Sequence, residues 1–273
     1  MKPCPLDYMR ARSLDHAIEL MASTAEEARI IAGGQSLGPM LNLRLASPKR
    51  LIDISHIDEL GRAVLDGGEL VVGPCVTHAR IEDGEIPDAT RGLMQHVARG
   101  IAYRAVRNRG TIGGSLAHAD PAADWVATML ALGARIALRG HGGERMLAID
   151  EFITGPLGTA MSAGEAISAI RIPRLAVGAR WGYAKFARKP GDFAESMAVV
   201  VIDRNRDCCR VVLARRSEPP ARLPQTEVAL AREDAKKPID DAINADLDSL
   251  RVIAEDSSLH RAIVRRAVRG MTS

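Results

Sequence analysis

Two short segments carry residue types that could hold a charged ligand. In "ARIIAGGQSLGPMLNLRL", residues 28–45, Gly33 and Gly34 stand between an apolar run and a segment whose apolar residues return at helical spacing. The stretch "RNRGTIGGSLAHADPAADWVATML" repeats the design at Gly113 and Gly114. A chain that leaves a strand through two glycines and restarts as a helix exposes backbone N–H groups with no Cβ in the way, and the helix N-terminus adds partial positive charge. Such a turn binds phosphate without a lysine, and two of them suit a diphosphate. Neither matches G-x-G-x-x-G or the G-x-x-x-x-G-K-S/T loop, which sets aside a plain Rossmann finger and a P-loop. One Gly-Gly pair alone reads as a tight turn; the repetition, each time with a serine and a helix behind it, favours a ligand.

Other chemistry is sparse. Ser36 has no His-Asp pattern around it and reads as a helix cap, not a nucleophile. His118 reads as a cap or partner contact rather than an acid-base group. The cysteines, Cys4, Cys75, Cys208 and Cys209, show no spacing that suits zinc or an iron–sulfur cluster. A net charge of +3 arises from 37 Lys+Arg scattered among 34 Asp+Glu, without a basic run, so nucleic acid is not expected as a partner. No apolar run is long enough to span a bilayer and the first residues lack an apolar signal core, which points to a cytoplasmic protein.

The elements that must position these segments follow from periodicity. Leu14, Ala17, Ile18 and Met21 behind Ser13 mark an amphipathic helix, "ARIIAGG" a buried strand, Leu37, Met40 and Leu41 a short helix and "RLIDIS" a second strand. These form a small β-α-β unit within residues 1–55. Asp66-Gly67-Gly68 and His141-Gly142-Gly143 signal hairpins, residues 87–99 a helix, and "DPAADWVATMLALGA" a helix with Asp120 as N-cap, Pro121 at N1 and Gly133 as its stop. Beyond a boundary near residue 175 the chain reads as a three-stranded antiparallel meander turning at Pro190-Gly191 and near Asn205, followed by helical patterns. On the last helix Arg261, Arg265 and Arg269 form a row that faces solvent or a partner. The fold class is α+β.

"AGGQS" at 32–36 and "TIGGSLAHADPAAD" at 111–124 closely resemble the two FAD-binding motifs of the flavin-carrying medium subunit of molybdenum hydroxylases, the family of aerobic carbon monoxide dehydrogenase and xanthine dehydrogenase. "IRIP" at 170–173 and "YAKFARKPGDFA" at 183–194 extend the likeness over nearly the whole chain. The resemblance implies a two-lobed FAD-binding domain of the vanillyl-alcohol-oxidase or PCMH-like type over residues 1–175, with subdomains 1–55 and 56–175, and a C-terminal domain over 176–273. It implies that Ala32, Gly33, Gly34, Gln35, Ser36 and Leu37 wrap the pyrophosphate from one side and Thr111, Gly114 and Ser115 from the other. It places Asp124 on a polar group of the cofactor and Asp120 beside it as the cap. Ile101, Ala102, Ile167 and Lys185 fall at positions lining the flavin or adenine ends, and Phe193 where relatives often carry an aromatic over the ring. A cation at Lys185 would raise the flavin potential. Gln35 stands where carbon monoxide dehydrogenases commonly have His, and Ser115 where Asn is frequent.

The implied function is electron transfer: FAD would receive electrons from the iron–sulfur clusters of a small 2Fe-2S subunit, which took them from a large molybdenum-cofactor subunit, and pass them to an external acceptor. The competing readings are a self-sufficient FAD-dependent oxidase or reductase of related fold, and a nucleotide-binding module without redox chemistry.

Overall fold

The computed structural model describes residues 2–23, 27–231 and 239–271. In chain order the elements are β1 (Asp7–Arg10), α1 (Leu14–Ala22), β2 (Ala28–Ile31), α2 (Leu37–Asn42), β3 (Arg50–Asp53), β4 (Ala63–Asp66), β5 (Glu69–Val72), α3 (His78–Glu82), α4 (Leu93–Arg99), α5 (Arg104–Arg107), α6 (Ile112–His118), α7 (Asp124–Leu132), β6 (Arg135–Gly140), β7 (Gly143–Ala148), α8 (Ile149–Phe152), β8 (Ile153–Gly155), β9 (Gly158–Thr159), β10 (Ala166–Pro173), β11 (Arg180–Phe186), β12 (Ser196–Asp203), β13 (Cys208–Arg215), β14 (Glu218–Arg222), α9 (Pro224–Ala231), α10 (Ile239–Ser249) and α11 (Ala254–Arg269).

The first 55 residues build a parallel sheet in the order β1-β3-β2. Ser13 caps α1 by accepting from the His16 amide, and Leu14, Ala17, Ile18 and Met21 bury the face that the periodicity predicts. The second lobe is an antiparallel sheet, β4-β5-β10-β6-β7, with α3, α4, α6 and α7 around it. Its two hairpins turn where the glycines predict.

The C-terminal sheet has four strands, β11-β12-β13-β14, not three. The fourth, "EPPAR", escapes a pattern search because Pro219 and Pro220 speak against a strand; they are accommodated because β14 is an edge. Every residue of β12 is buried, since α7 covers one face of this sheet and α11 the other. Helix α7 is buried nearly all round, and one apolar cluster runs from Trp125 and Phe152 of the second lobe into Val199 and Val212 of the C-terminal sheet. The two units flanking residue 175 thus share a core.

Two expected helix starts move, and one expected surface row is partly engaged. The helix read over 87–99 begins only at Leu93, because Arg91 and Gly92 both take positive φ. Helix α7 begins at Asp124 with Ala123 as N-cap, so Asp120 does not cap it; the Asp120 carboxylate instead accepts the Ala122 amide in a turn that precedes the helix. Asp120 and Asp124 therefore do not share a helical face. The arginine row of α11 turns partly inward to the chain, where Arg265 pairs with Asp240 of α10. Residues 232–238, within the stretch of expected helical patterns, lie outside the described residues.

Candidate cofactor-binding cleft

A cleft of about 1310 Å³ opens between the two N-terminal lobes and is closed on one side by the loop joining β11 to β12. Fifteen of the sixteen residues anticipated from the sequence line it: Ala32 to Leu37, Ile101, Ala102, Thr111, Gly114, Ser115, Asp120, Asp124, Ile167 and Phe193. Lys185 does not.

The two glycine turns are not equivalent. In the first, a Cβ on Gly33 would stand 1.9 Å from the Arg109 carbonyl oxygen, so Gly33 is required for this turn to pack on the segment that leads into the second. Gly34 takes φ +69°, a left-handed conformation that costs a side-chain-bearing residue roughly 1–2 kcal/mol. Its carbonyl accepts from Gly38 to start α2, while the amides of Gly34, Gln35 and Ser36 meet no acceptor among the described residues. This turn lines the cleft and carries free donors among the described residues. Ser36 does not cap α2: its own backbone is already helical and its side chain bonds no amide.

In the second segment the helix starts before the glycines. Thr111 is the N-cap of α6 and its Oγ1 accepts from the Gly114 amide at 3.0 Å, while the Gly113 amide donates to the Pro74 carbonyl at 3.1 Å. These amides are spent inside the chain, which corrects the expectation of two matching amide cradles. Gly113 is there for close packing, since a Cβ would lie 2.3 Å from Pro74 Cβ. Gly114 and Ser115 line the cleft with their amides already bonded to Thr111. Replacing Thr111 with Ala should cost about 1 kcal/mol through the lost cap, seen as a lower midpoint in thermal unfolding.

Asp124, at the start of α7, is buried and lines the cleft floor. Its carboxylate accepts from Tyr183 Oη at 2.5 Å and from Lys185 Nζ, 3.0 Å from each oxygen. Burial pushes the carboxyl pKa up, while the Lys185 ammonium and the two hydrogen bonds pull it down. The same burial, with Asp124 beside it, drives the Tyr183 phenol well above its ordinary value, so it stays a donor. Lys185 thus acts on the cleft through Asp124 rather than as a free cation, and its charge is already balanced by that carboxylate.

Several lining residues have no local sequence signal. Trp125 and His78 form a buried pair, Trp125 Nε1 donating to His78 Nδ1 at 3.0 Å. Burial, reinforced by the Arg107 charge, lowers the His78 pKa to about 4, so the ring is neutral and an acceptor. Because the folded value lies below the ordinary 6.5, the unfolded chain takes up the proton first, and His78 weakens the fold as pH drops from 6.5 toward 4. In that window the His78→Gln variant should lose less stability than the parent, by up to about 3 kcal/mol near pH 4; urea unfolding at stepped pH measures it. The stretch 157–167 arrives through the β8–β9 hairpin, with Leu157 hydrogen bonded to the Ala119 carbonyl. The β11–β12 loop is pinned by Ala102 N donating to Gly191 O at 3.0 Å, and Phe193 of this loop lines the cleft, as does Tyr103. These rings are 59% and 65% exposed, flat apolar surface on residues that line the cavity.

The fold and this cleft define a flavin-binding subunit. Residues 4–175 match the family described as the FAD binding domain in molybdopterin dehydrogenase. The chain belongs to that family, and it is an oxidoreductase subunit whose cofactor is FAD. It is 35% identical over 263 residues to the caffeine dehydrogenase subunit beta of Pseudomonas sp. (strain CBB1), covering 95% of this chain and 89% of that one. Among solved structures it superposes on carbon monoxide dehydrogenase from Hydrogenophaga pseudoflava with a TM-score of 0.89 at 32% identity, over 99% of this chain and 98% of that one. Quinoline 2-oxidoreductase from Pseudomonas putida 86 gives a TM-score of 0.86 at 30% identity with the same coverage.

The residues present fit FAD. The cleft exceeds the few hundred to about 1,000 Å³ usual for compact ligands, as a dinucleotide needs. The free amides of Gly34, Gln35 and Ser36 suit its phosphates, and the apolar surfaces of Tyr103 and Phe193 suit its planar ends.

Proposed function

We propose that this chain is the electron-transfer subunit of a molybdenum hydroxylase complex, taking electrons from the 2Fe-2S clusters of a small partner, fed by a large molybdenum-cofactor partner, and delivering them to an external acceptor in the cytoplasm. The observation that carries this reading is the cleft itself: one wall of free backbone amides, a second wall of closely packed helix, and a floor carboxylate held by Lys185 and Tyr183. Bound FAD would supply the capacity to exchange electrons singly or in pairs. The chain's own residues bind and orient: residues 32–37, with Gly114 and Ser115, hold the diphosphate, Ile101, Ala102 and Ile167 border the cofactor's ends, and Asp124, fixed from behind by Lys185, meets a polar group. We place the FAD-binding domain at residues 1–175 and the C-terminal domain at 176–273, the latter closing the cleft through Phe193.

Relatives named for caffeine, carbon monoxide and quinoline match this chain at similar identity. That range supports placing substrate recognition in another subunit. The isolated chain should carry about one FAD, reducible by dithionite and reoxidised in air, yet oxidise no aldehyde, purine or heteroaromatic compound. Substrate-dependent turnover by the single chain, with partners shown absent, would replace this reading with that of a self-sufficient flavoenzyme.

A further inference from the structure

A second concavity, of about 640 Å³, lies where the segment leaving β10 crosses toward β11. Its lining includes three arginines, Arg91, Arg174 and Arg206, brought from the loop before α4, the crossing segment and the β12–β13 turn. None of the three has an ion-pair partner among the described residues, whereas Arg104, Arg107, Arg135, Arg145, Arg171 and Arg222 all do. The single carboxylate in the lining, Asp88, is engaged by the Thr90 amide at 2.9 Å.

The supporting backbone is tightly fixed. Arg91 takes φ +55°, a conformation rare for a long side chain, and its carbonyl is held by Trp181 Nε1 at 2.8 Å. On the crossing segment Arg174 N donates to Gly68 O, Leu175 N to Ala89 O, and Ala176 N to the buried Asp203 carboxylate. A strained residue that its surroundings over-determine points to use, and here that residue lines one concavity with two other arginines. The three arginines outnumber the carboxylates at the site, Asp88 and the buried Asp203 behind Ala176, and guanidinium groups pair bidentately with phosphate oxygens. Val177 adds an apolar edge to the rim.

We propose that this concavity is an anion site for a small phosphate-bearing ligand of the diphosphate class, separate from the flavin cleft. The test uses the full chain saturated with FAD, so that the cleft is taken, and titrates inorganic pyrophosphate by calorimetry at moderate salt. Saturable binding is expected, weakened roughly tenfold or more in Arg174→Gln/Arg206→Gln, two exposed positions whose side chains make no bond among the described residues. Flavin content and thermal midpoint should stay unchanged; if the double variant is unstable, Arg206→Gln alone should still weaken binding. Absence of saturable binding, equal binding by the variant, or equally tight binding of tricarballylate would overturn the assignment.

Discussion

The Gly34→Val variant should fold and lose FAD. The substitution cannot keep φ +69° at low cost, and its Cβ would also lie 3.2 Å from Ile31 Cδ1, so the turn must rotate. Rotation turns away the amides of Gly34, Gln35 and Ser36, which meet no acceptor among the described residues. The added Cβ meets Ile31, and the loss is expected from redirected N–H groups. Flavin-to-protein ratio after gel filtration should drop from about one to near zero while far-UV circular dichroism is retained. Gly33→Val, by contrast, drives a Cβ into the Arg109 carbonyl and should separate the two lobes, lowering the thermal midpoint as well. Gly142 is the control: its hairpin position is open, so Gly142→Ala should change neither quantity. Gly133 would be a poor control, because it takes φ +67° and the Arg210 guanidinium lies where its Cβ would go. A folded Gly34→Val protein with full FAD would show that the glycine serves only the turn.

The other large effect is expected at the cleft floor. Asp124→Leu leaves the Lys185 ammonium, 12% exposed at its side chain, and the Tyr183 hydroxyl without their acceptor, and should destabilise the chain by about 3–5 kcal/mol. Adding Lys185→Met removes the stranded charge and should recover a large part of that loss, because exchanging both partners for apolar groups is far cheaper than removing one. Denaturant unfolding of both single variants and the double variant gives the coupling directly. Additive losses would mean that the ion pair does not anchor the floor. Lys185→Met alone strands the carboxylate, so any fall in flavin potential on that change reflects Asp124 as well as the missing cation.

Much of this architecture is legible in the sequence for physical reasons. Helix α1 shows because its cap and its apolar stripe agree, and the 63–72 and 135–148 hairpins show because their turns need glycine. The cleft's two motifs show because a repeated glycine pattern is rare without a use. What stays hidden depends on partners distant in sequence. Nothing local reveals that Gly113 answers Pro74 or that Gly33 answers Arg109, so the second motif reads as a copy of the first although its amides are spent. The start of α7 is misplaced because Asp120-Pro121 imitates a cap, while the carboxylate in fact closes a turn on Ala122. Strand β14 is masked by its prolines. Lys185 reads as a cation facing the ligand because the sequence cannot show that Asp124, 61 residues away, holds its ammonium.

The most direct test of the central claim is a rapid-mixing experiment on the visible flavin band. The FAD-loaded chain is mixed anaerobically with its reduced iron–sulfur partner subunit, and the band is followed in time. Bleaching of the flavin with matching reoxidation of the clusters, abolished in the Gly34→Val chain that carries no FAD, is the predicted result. A flavin that stays oxidised in contact with the reduced partner would contradict the assignment of this chain as the complex's electron-transfer subunit.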